Sequence, residues 1–222
     1  MERTGERGRR VLAAYRSESP ATRAHVAGRW RTAPVTEVES FVPRFGDVLD
    51  LGCGNGVVSI DMALASPHRR IHAVDVNSER TAVAGRAVAA ARVADRVTVG
   101  QVPPAWRPAA QSYDAVVVVD VLYLLGRSTA FELVDALVAA LRPGGTLVLK
   151  EMADRPRWKA AANRFQEAVA VRGIGLTTGD HVDVIPVEEL ARHLRAAEIP
   201  VRTVALDRGH VHPHAAVVAG PT

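Results

Sequence analysis

Hydrophobic and polar positions alternate in blocks between residues 46 and 150. Five short apolar runs have the length of strands, and helix-compatible segments separate most of them. The run at 115–119 is almost wholly valine, which indicates a strand buried on both faces, as in a parallel sheet. This alternation predicts an α/β fold with a doubly wound, mostly parallel sheet. The predicted strands are residues 47–51, 70–74, 96–99, 115–119 and 146–150.

Candidate helix caps and turns punctuate this region. Asn77 or Ser78 is placed to cap a helix that runs to about residue 91, and Ser128 to cap one that reaches Leu141. A Pro-Gly-Gly turn at 142–145 is then predicted to lead into strand five.

The N-terminal residues 1–46 carry no strand pattern and predict a cap of about three short helices. Ser19-Pro20 and Pro34 mark two of the helix starts. Tyr15 and Trp30 are the large side chains of this cap, and two interpretations stay open for them. They either pack against the main domain or form a lid over a ligand.

The C-terminal part predicts a helix, a glycine-rich loop or lid, a second helix and two further strands. Their predicted spans are 155–171, 172–186, 187–197, 201–206 and 215–219, which brings the sheet to seven strands. We therefore expect a single domain with four segments: an N-terminal helical cap (1–46), a ligand-binding core (47–151), a lid or insertion (152–186) and a C-terminal helix with a β-hairpin (187–222).

Composition restricts the functional class. The chain has 222 residues, of which 48% are hydrophobic, as in a globular domain. No apolar run approaches the roughly 18 residues of a membrane span, and the charged N-terminus lacks the apolar core of a secretory signal. We therefore expect a cytoplasmic protein. The net charge is +4, but the arginines are scattered and aromatic residues are few, so a nucleic-acid partner is disfavoured.

The stretch from Val48 to Gly56 is the clearest ligand-binding signal in the chain. An apolar strand ends in glycines at alternate positions and a helix follows, which brings backbone close to a bound group. Asp75, twenty-one positions after Gly54, ends the second strand and can bond two ribose hydroxyls. The third glycine comes one residue earlier than in a dinucleotide fingerprint. Asp50, just before the turn, would repel a pyrophosphate and suits a cationic ligand instead.

The segment Asp50-Leu51-Gly52-Cys53-Gly54-Asn55-Gly56 resembles the first motif of the class I S-adenosylmethionine-dependent methyltransferases. Three further matches follow in order: Asp75, the stretch from Tyr113 to Leu124, and the turn from Leu141 to Leu147. The resemblance covers about residues 45–151 and implies S-adenosylmethionine as the cofactor. The cofactor-binding residues that it implies are Asp50, Gly52, Cys53, Gly54, Asn55, Gly56, Asp75, Val76, Asn77, Gln101, Asp120 and Val121.

The resemblance also implies roles for these residues. Asp50 lies by the amino group of the cofactor, directly or through water, and Asp75 takes the ribose hydroxyls. Val76 packs on the adenine, while Asp120 and Val121 line the methionine end; Asp120 is alternatively a helix cap. Many members have an aspartate after strand three that accepts the adenine amino group. Here Gln101 occupies that region, and its carbonyl oxygen can accept the same bond.

The single cysteine and the histidines bear on the catalytic chemistry. Cys53 has no evident base beside it, so we interpret it as a small packing residue and not as a nucleophile. A base is needed only if the acceptor loses a proton of high pKa. Three histidines lie in the connection between the last two strands: His210, His212 and His214. Three interpretations stay open for them: a general base, a metal site, or polar residues at the surface.

We take as catalytic candidates His210 and His214, together with Glu151 and Tyr123 at the ends of strands five and four, and we assign no metal site. The other histidines have no comparable argument: His25, His68, His72, His181 and His193. The predicted function is direct in-line transfer of a methyl group to a small-molecule acceptor, such as a natural product or an apolar metabolite. Alternatives are an RNA or protein methyltransferase, a non-catalytic S-adenosylmethionine-binding protein and a nicotinamide dehydrogenase. The kind of acceptor atom and the presence of a homodimer stay open.

Overall fold

The computed structural model describes residues 5–152, 185–206 and 214–220. The helix predicted at 155–171, most of the predicted lid at 172–186, and both His210 and His212 lie outside these ranges. Seven helices are described: α1 (Glu6–Ala13), α2 (Pro20–Thr32), α3 (Val35–Ser40), α4 (Val57–Ala65), α5 (Ser78–Ala90), α6 (Arg127–Ala139) and α7 (Val187–Ala196). A short 3-10 turn spans Leu122–Leu124.

Seven strands form one sheet: β1 (Phe45–Leu51), β2 (His68–Asp75), β3 (Val97–Gln101), β4 (Tyr113–Val119), β5 (Leu141–Met152), β6 (Val201–Ala205) and β7 (His214–Ala219). Their order across the sheet is β3-β2-β1-β4-β5-β7-β6. Strands β1 to β5 are parallel to one another, whereas β7 runs antiparallel to both β5 and β6. The predicted seven-stranded, mostly parallel, doubly wound sheet with an N-terminal helical cap is confirmed.

The register places His214 opposite Met152 at the carboxyl end of β5. The carboxyl ends of the five parallel strands therefore share one edge with the start of β7. In an open α/β sheet this is the edge at which ligands bind.

Neighbouring residues of the central strands face opposite layers, as the pleat of a strand requires. Val48 and Val117 lie in a core with the helices α1 to α5, whereas Leu49 and Val116 lie in a core with α6 and α7. All four side chains are fully buried. Both faces of β1 and β4 are thus covered, which explains why the sequence there is a nearly continuous apolar run.

Two local predictions are wrong. Helix α6 begins at Arg127 after Gly126, and Ser128 lies inside its first turn, where its hydroxyl donates to the Glu132 carboxylate at 2.9 Å and not to the backbone. Strand β5 begins at Leu141 and not after the glycines. Gly144 takes a left-handed φ of +80° and the pairing with β4 shifts register, so the Pro-Gly-Gly segment is an irregularity within the strand.

The N-terminal cap packs onto the face of the sheet that carries α4. Ser19 caps α2 by accepting the Thr22 amide at 3.1 Å, and Pro20 occupies the first helical position, as predicted. Tyr15 and Trp30 are 1% and 8% exposed and belong to the same core as α4. The structure therefore supports the packing interpretation of these two side chains.

A buried ion-pair network fixes the cap to the sheet. The Arg69 side chain on β2 is fully buried; it pairs with Glu39 at 2.7 Å and donates to the carbonyl oxygens of Val42, Pro43 and Met62. Arg7 on α1 bridges Glu39 at 3.0 Å and Asp61 on α4 at 2.8 Å. Burial raises the pKa of Asp61 to about 7, although the Arg7 charge opposes the rise.

Replacing Arg69 by methionine is expected to lower the free energy of unfolding by about 3–5 kcal/mol, because it leaves three backbone carbonyls without their donor and Glu39 with Arg7 as its remaining cation. Urea denaturation measures this loss. The neighbouring Arg70 is the matched control, since its side chain is 75% exposed and pairs only with Asp47. Arg70→Met should change the free energy of unfolding little. Equal effects of the two substitutions would contradict the proposed contribution of the buried network to stability.

Candidate active site

The glycine loop between β1 and α4 has the conformation that its sequence predicts. Gly52, Gly54 and Gly56 have φ values of +73°, +53° and +82°. A Cβ atom at Gly52 would lie 2.4 Å from Cγ2 of Val121, so only glycine fits beneath that side chain. A Cβ atom at Gly54 would meet nothing within 4 Å. The backbone at Gly54 is therefore open to the close approach of a ligand.

Asp75 fastens this loop to the end of β2. One carboxylate oxygen accepts the Gly54 amide and the other the Asn77 amide, both at 2.9 Å. The amides of Gly52 and Cys53 donate to the Val74 carbonyl at 2.8 and 3.0 Å. Each carboxylate oxygen has a second lone pair, so the held carboxylate can still accept two hydroxyl groups of a ribose.

The residues predicted to surround the adenine lie beside Asp75. Val76 is half-buried, and Asn77 caps α5 by accepting the Arg80 amide at 2.9 Å, as predicted. Gln101 pairs with Asp75 in the β2–β3 register, and its amide nitrogen donates to the Val76 carbonyl at 3.2 Å. This contact uses the nitrogen of the amide, so the carbonyl oxygen remains the acceptor that an adenine amino group requires.

Asp50 and Cys53 lie beneath the loop. Asp50 is 1% exposed and accepts a hydrogen bond from the Ser59 hydroxyl. Burial raises its pKa to about 6, with Ser59 opposing and the Asp75 charge adding to the rise. Burial, and then the charges of Asp50 and Asp75, raise the pKa of the Cys53 thiol well above its usual range. The thiol therefore stays protonated, which agrees with its interpretation as a packing residue.

Asp120 follows β4 in a left-handed conformation, with φ of +56°. Its carboxylate lies between Lys150 Nζ at 2.5 Å and Arg29 Nη1 at 3.0 Å, and Arg29 also donates to the Val119 carbonyl at 3.1 Å. Burial opposes ionisation, but the charges of Lys150 and Arg29 outweigh it and lower the pKa of Asp120. The Asp120 side chain is therefore held by two ion pairs. The capping role considered above as its alternative is taken by another residue.

That residue is Glu151. Its Oε1 accepts the amides of Val121 and Leu122 at 3.2 and 2.9 Å, which holds the turn at Leu122–Leu124 against the end of β5. Glu151 is 4% exposed. Burial, and then the Asp120 charge, raise its pKa to about 7, while the two amide bonds oppose the rise.

The other catalytic candidates have different environments. Tyr123 is half-buried in the same turn, and burial followed by the Asp120 charge raises the pKa of its hydroxyl, which makes it a hydrogen-bond donor at neutral pH. His214 is 5% exposed, and its Nε2 lies 2.7 Å from the Thr32 carbonyl of the cap. Over residues 5–152, 185–206 and 214–220, no three histidine, cysteine or acidic side chains are grouped as a metal site.

The N-terminal cap reaches the site at two points that sequence reasoning did not identify. The Tyr15 hydroxyl donates to the Asn55 carbonyl in the glycine loop at 2.7 Å, across 40 residues of chain. Arg29 reaches the end of β4 across 90 residues. Neither side chain belongs to a motif, so only the folded arrangement reveals them.

The match to known families coincides with this site. Residues 48–145 match a family model described as a methyltransferase domain. They span the glycine loop, Asp75, Asp120 and the irregular start of β5. This segment of the chain is similar to methyltransferase domains, which agrees with the resemblance of its motifs to the S-adenosylmethionine-dependent methyltransferases.

Solved structures with the same fold support the assignment of the fold. The S-adenosylmethionine-dependent methyltransferase SibL, in its apo form, is 21% identical over 90% of this chain and 57% of its own, with a TM-score of 0.70. The O-methyltransferase NcsB1 from neocarzinostatin biosynthesis, crystallised with S-adenosylmethionine and 2-hydroxy-5-methyl naphthoic acid, is 16% identical over 90% of this chain and 56% of its own, with a TM-score of 0.63. The chain thus spans little more than half the length of either protein.

The fold also occurs in a protein with another activity. The [4+2]-cyclase SpnF is 16% identical over 84% of this chain and 79% of its own, with a TM-score of 0.64. Among curated protein sequences, none matches this chain. Within the described part of the chain, no helix has the length and apolar character to cross a bilayer.

Glu151→Gln is expected to remove one component of the pH dependence of stability. The folded-state pKa of Glu151, about 7, lies above the ordinary value of 4.5, so the folded protein binds this proton more tightly than the unfolded chain. The Glu151 contribution is therefore fully present below about pH 4.5 and is lost as the pH rises through about 7. The wild type should lose up to about 3 kcal/mol relative to Glu151→Gln between pH 5 and 8, by chemical denaturation. If the free energies of unfolding of the two proteins changed in parallel with pH, the raised pKa of Glu151 would be contradicted.

Tyr15→Phe should weaken the binding of S-adenosylhomocysteine by roughly two- to tenfold, because the glycine loop loses the hydrogen bond that holds the Asn55 carbonyl. Calorimetry measures this affinity. Tyr113→Phe is the matched control, since it also removes a partly buried hydroxyl contact, to His72 at 2.7 Å, at the opposite edge of the sheet. An equal loss of affinity in both variants would show that Tyr15 acts only through global stability.

Proposed function

We propose that this protein transfers the methyl group of S-adenosylmethionine to a small-molecule acceptor by direct in-line displacement. The observation that carries the proposal is the position of the N-terminal cap. Tyr15 ties the cap to the glycine loop, and Arg29 ties it to the end of β4. The cap thus spans the carboxyl edge of the sheet, where it can enclose a ligand of limited size.

The residues present fit S-adenosylmethionine. Gly54 leaves open space for close approach, the Asp75 carboxylate is held with lone pairs to spare for a ribose, and Val76 offers an apolar surface for adenine. Gln101 offers its amide carbonyl to the adenine amino group. Asp50 and Asp75 supply negative charge beneath a cationic ligand. When bound, the cofactor supplies a sulfonium-activated methyl group, which is already a strong electrophile.

The protein therefore has to align the acceptor with the methyl group and exclude water from the site. Val121 packs against Gly52, and Glu151 fixes the Val121 and Leu122 amides, so the methionine end is bordered by rigid backbone. Among the catalytic candidates, Tyr123 can orient an acceptor oxygen through its hydroxyl. His214 and Glu151 are buried in structural contacts, and His210 remains a candidate base from the sequence alone.

A small aromatic acceptor agrees with one structural relative. NcsB1 was crystallised with a hydroxylated naphthoic acid beside S-adenosylmethionine. The second candidate is that the protein binds the cofactor but has another activity. The structural likeness to the [4+2]-cyclase SpnF is the reason to consider it. Transfer of labelled methyl from S-adenosylmethionine to a panel of small phenols, acids and amines separates the two. Stoichiometric cofactor binding without transfer to any member would favour the second.

Asp75→Asn should weaken S-adenosylhomocysteine binding by at least about tenfold, because the neutral amide loses charge and one acceptor oxygen of a bidentate contact. Calorimetry on the full chain measures the affinity, and circular dichroism checks that the variant is folded. Asp95→Asn is the control, since Asp95 is exposed and pairs only with its neighbour Arg96. Unchanged affinity in Asp75→Asn would remove the proposed cofactor site.

A further inference from the structure

A groove lies on the N-terminal cap between α1 and α2, and its volume is about 620 Å³. Sites for small molecules have volumes of roughly 300–1,000 Å³, so this groove has the size of a ligand site. Among the described residues that line it, three are arginine, six are apolar or proline, one is tyrosine and none is acidic. The groove therefore combines an apolar surface with positive charge.

The groove opens on a different side of α2 from the cofactor cleft. Four of its residues share one face of α2, because they follow the spacing i, i+3, i+4, i+7: Pro20, Arg23, Ala24 and Ala27. Arg29, which reaches the end of β4, comes two positions after Ala27, so its side chain leaves the helix about 160° away from that of Ala27. The groove is thus a separate feature from the proposed cofactor site.

The floor of the groove is apolar. Leu12 and Ala13 of α1 and Val26 and Ala27 of α2 line it. Val26 is buried in the core of the cap, whereas the other three are half-buried. An apolar ligand that covered these side chains would remove both surfaces from water, which favours binding.

The turn between α1 and α2 is anchored from behind, which holds the two walls of the groove in place. The Tyr15 hydroxyl donates to the Asn55 carbonyl at 2.7 Å, and Tyr15 also lines the groove. Both carboxylate oxygens of Glu18 accept from Arg86 on α5, at 2.8 and 2.9 Å. A groove whose walls are already fixed loses less conformational freedom when a ligand binds.

The rim of the groove carries positive charge that the described residues do not neutralise. Arg16 and Arg23 are exposed, and neither side chain makes an ion pair or a hydrogen bond with any residue in the ranges 5–152, 185–206 and 214–220. Glu18, the acid nearest to Arg16 in the sequence, is engaged by Arg86. Residues 5–34 contain seven arginines and two glutamates, so the potential around the groove is positive. The rim therefore attracts an anion.

Two large anionic partners suit the groove less well than a small molecule. A nucleic acid strand needs exposed aromatic rings on which its bases stack, but Tyr15, the aromatic residue of the lining, is 1% exposed. A bilayer surface needs large apolar side chains that protrude. Within the described part of the cap no such side chain is exposed; the exposed one lies at the start of β1, at Phe45.

We propose that this groove is a binding site for a small amphiphilic anion, whose acidic head is held by Arg16 and Arg23 and whose apolar body lies on the floor between α1 and α2. The head is a carboxylate or a phosphate, because a guanidinium binds both through paired hydrogen bonds. This inference goes beyond the proposed function and does not depend on it.

Calorimetry on the full chain tests the site with decanoate and decyl phosphate as probes, each below the concentration at which it forms micelles. At least one of them should bind saturably, with one molecule per chain. Replacing Arg16 and Arg23 together by glutamine should weaken this binding by at least about tenfold, because two charge-assisted contacts to the head are lost. Decanol, which has the same body without the charge, should bind more weakly for the same reason.

A second variant blocks the floor and leaves the charges in place. Ala24 lines the groove and is exposed, so the indole of Ala24→Trp can occupy the groove without entering the core. This variant should also weaken probe binding, and circular dichroism checks that it is folded.

The matched control replaces Arg10 and Arg31 together by glutamine. These arginines are exposed on α1 and α2 and do not line the groove. The control should keep the wild-type affinity although its net charge changes by the same amount. Absence of binding by both probes, or an equal loss of affinity in the control and in the variant without Arg16 and Arg23, would overturn the inference.

Two further measurements separate this site from its alternatives. Saturation with S-adenosylhomocysteine should leave the affinity for the probe nearly unchanged, and competition between the two would place the probe in the cofactor cleft and overturn the inference. Tighter binding to phosphatidylglycerol vesicles or to a single-stranded oligonucleotide, lost in the variant without Arg16 and Arg23, would assign the surface to a larger partner and overturn it as well. Failure of S-adenosylhomocysteine itself to bind would contradict only the proposed function.

Discussion

The arrangement of the site depends on the ion pairs that the Asp120 carboxylate makes. A carboxylate with only 8% of its side chain exposed is costly unless it is paired, and Asp120 is paired twice, with Lys150 and Arg29. Lys150 comes from the neighbouring strand and is itself fully buried, so the two buried charges require each other. Arg29 comes from the N-terminal cap. The need to neutralise one carboxylate at the end of β4 thus brings α2 across the carboxyl edge of the sheet.

The site combines several buried carboxyl groups with opposite pKa shifts. The cations beside Asp120 keep it ionised, whereas burial raises the pKa values of Asp50 and Glu151. The Asp120 charge also raises the pKa of Glu151, and the Asp75 charge raises that of Asp50. Glu151 is therefore poised to bind a proton near neutrality while it holds the backbone of the turn after β4. The stability of that turn and the electrostatics of the cofactor end are coupled through this one side chain.

Much of the fold follows from periodicity, because strands buried on both faces need continuous apolar runs such as the valines of β4. The cofactor loop follows equally, since Gly52 must leave room for Val121. Local errors arose where two signals competed. Ser128 has the residue type of a cap but lies where Glu132 is within reach, and the glycines before Thr146 read as a turn although the strand continues through them with a register shift.

The contacts of the N-terminal cap could not be predicted from the sequence for a physical reason. On α2, Arg29 belongs to no motif and looks like an ordinary solvated side chain. Its ion pair with Asp120 and its bond to the Val119 carbonyl, 90 residues away in the chain, appear only in the folded structure. Sequence reasoning instead favoured the histidines near β7. Of these, His214 is described, and its ring contacts the Thr32 carbonyl, a contact that helps to hold the end of α2.

The charges divide the cleft into two halves with different chemical preferences. Asp50 and Asp75 lie by the glycine loop, where their negative charge suits a cationic methyl donor. Arg29 and Lys150 lie at the end of β4, where both pair with the Asp120 carboxylate. We expect the sulfonium of the proposed cofactor to lie toward Asp50 and Asp75 and away from these two cations, because opposite charges attract and like charges repel.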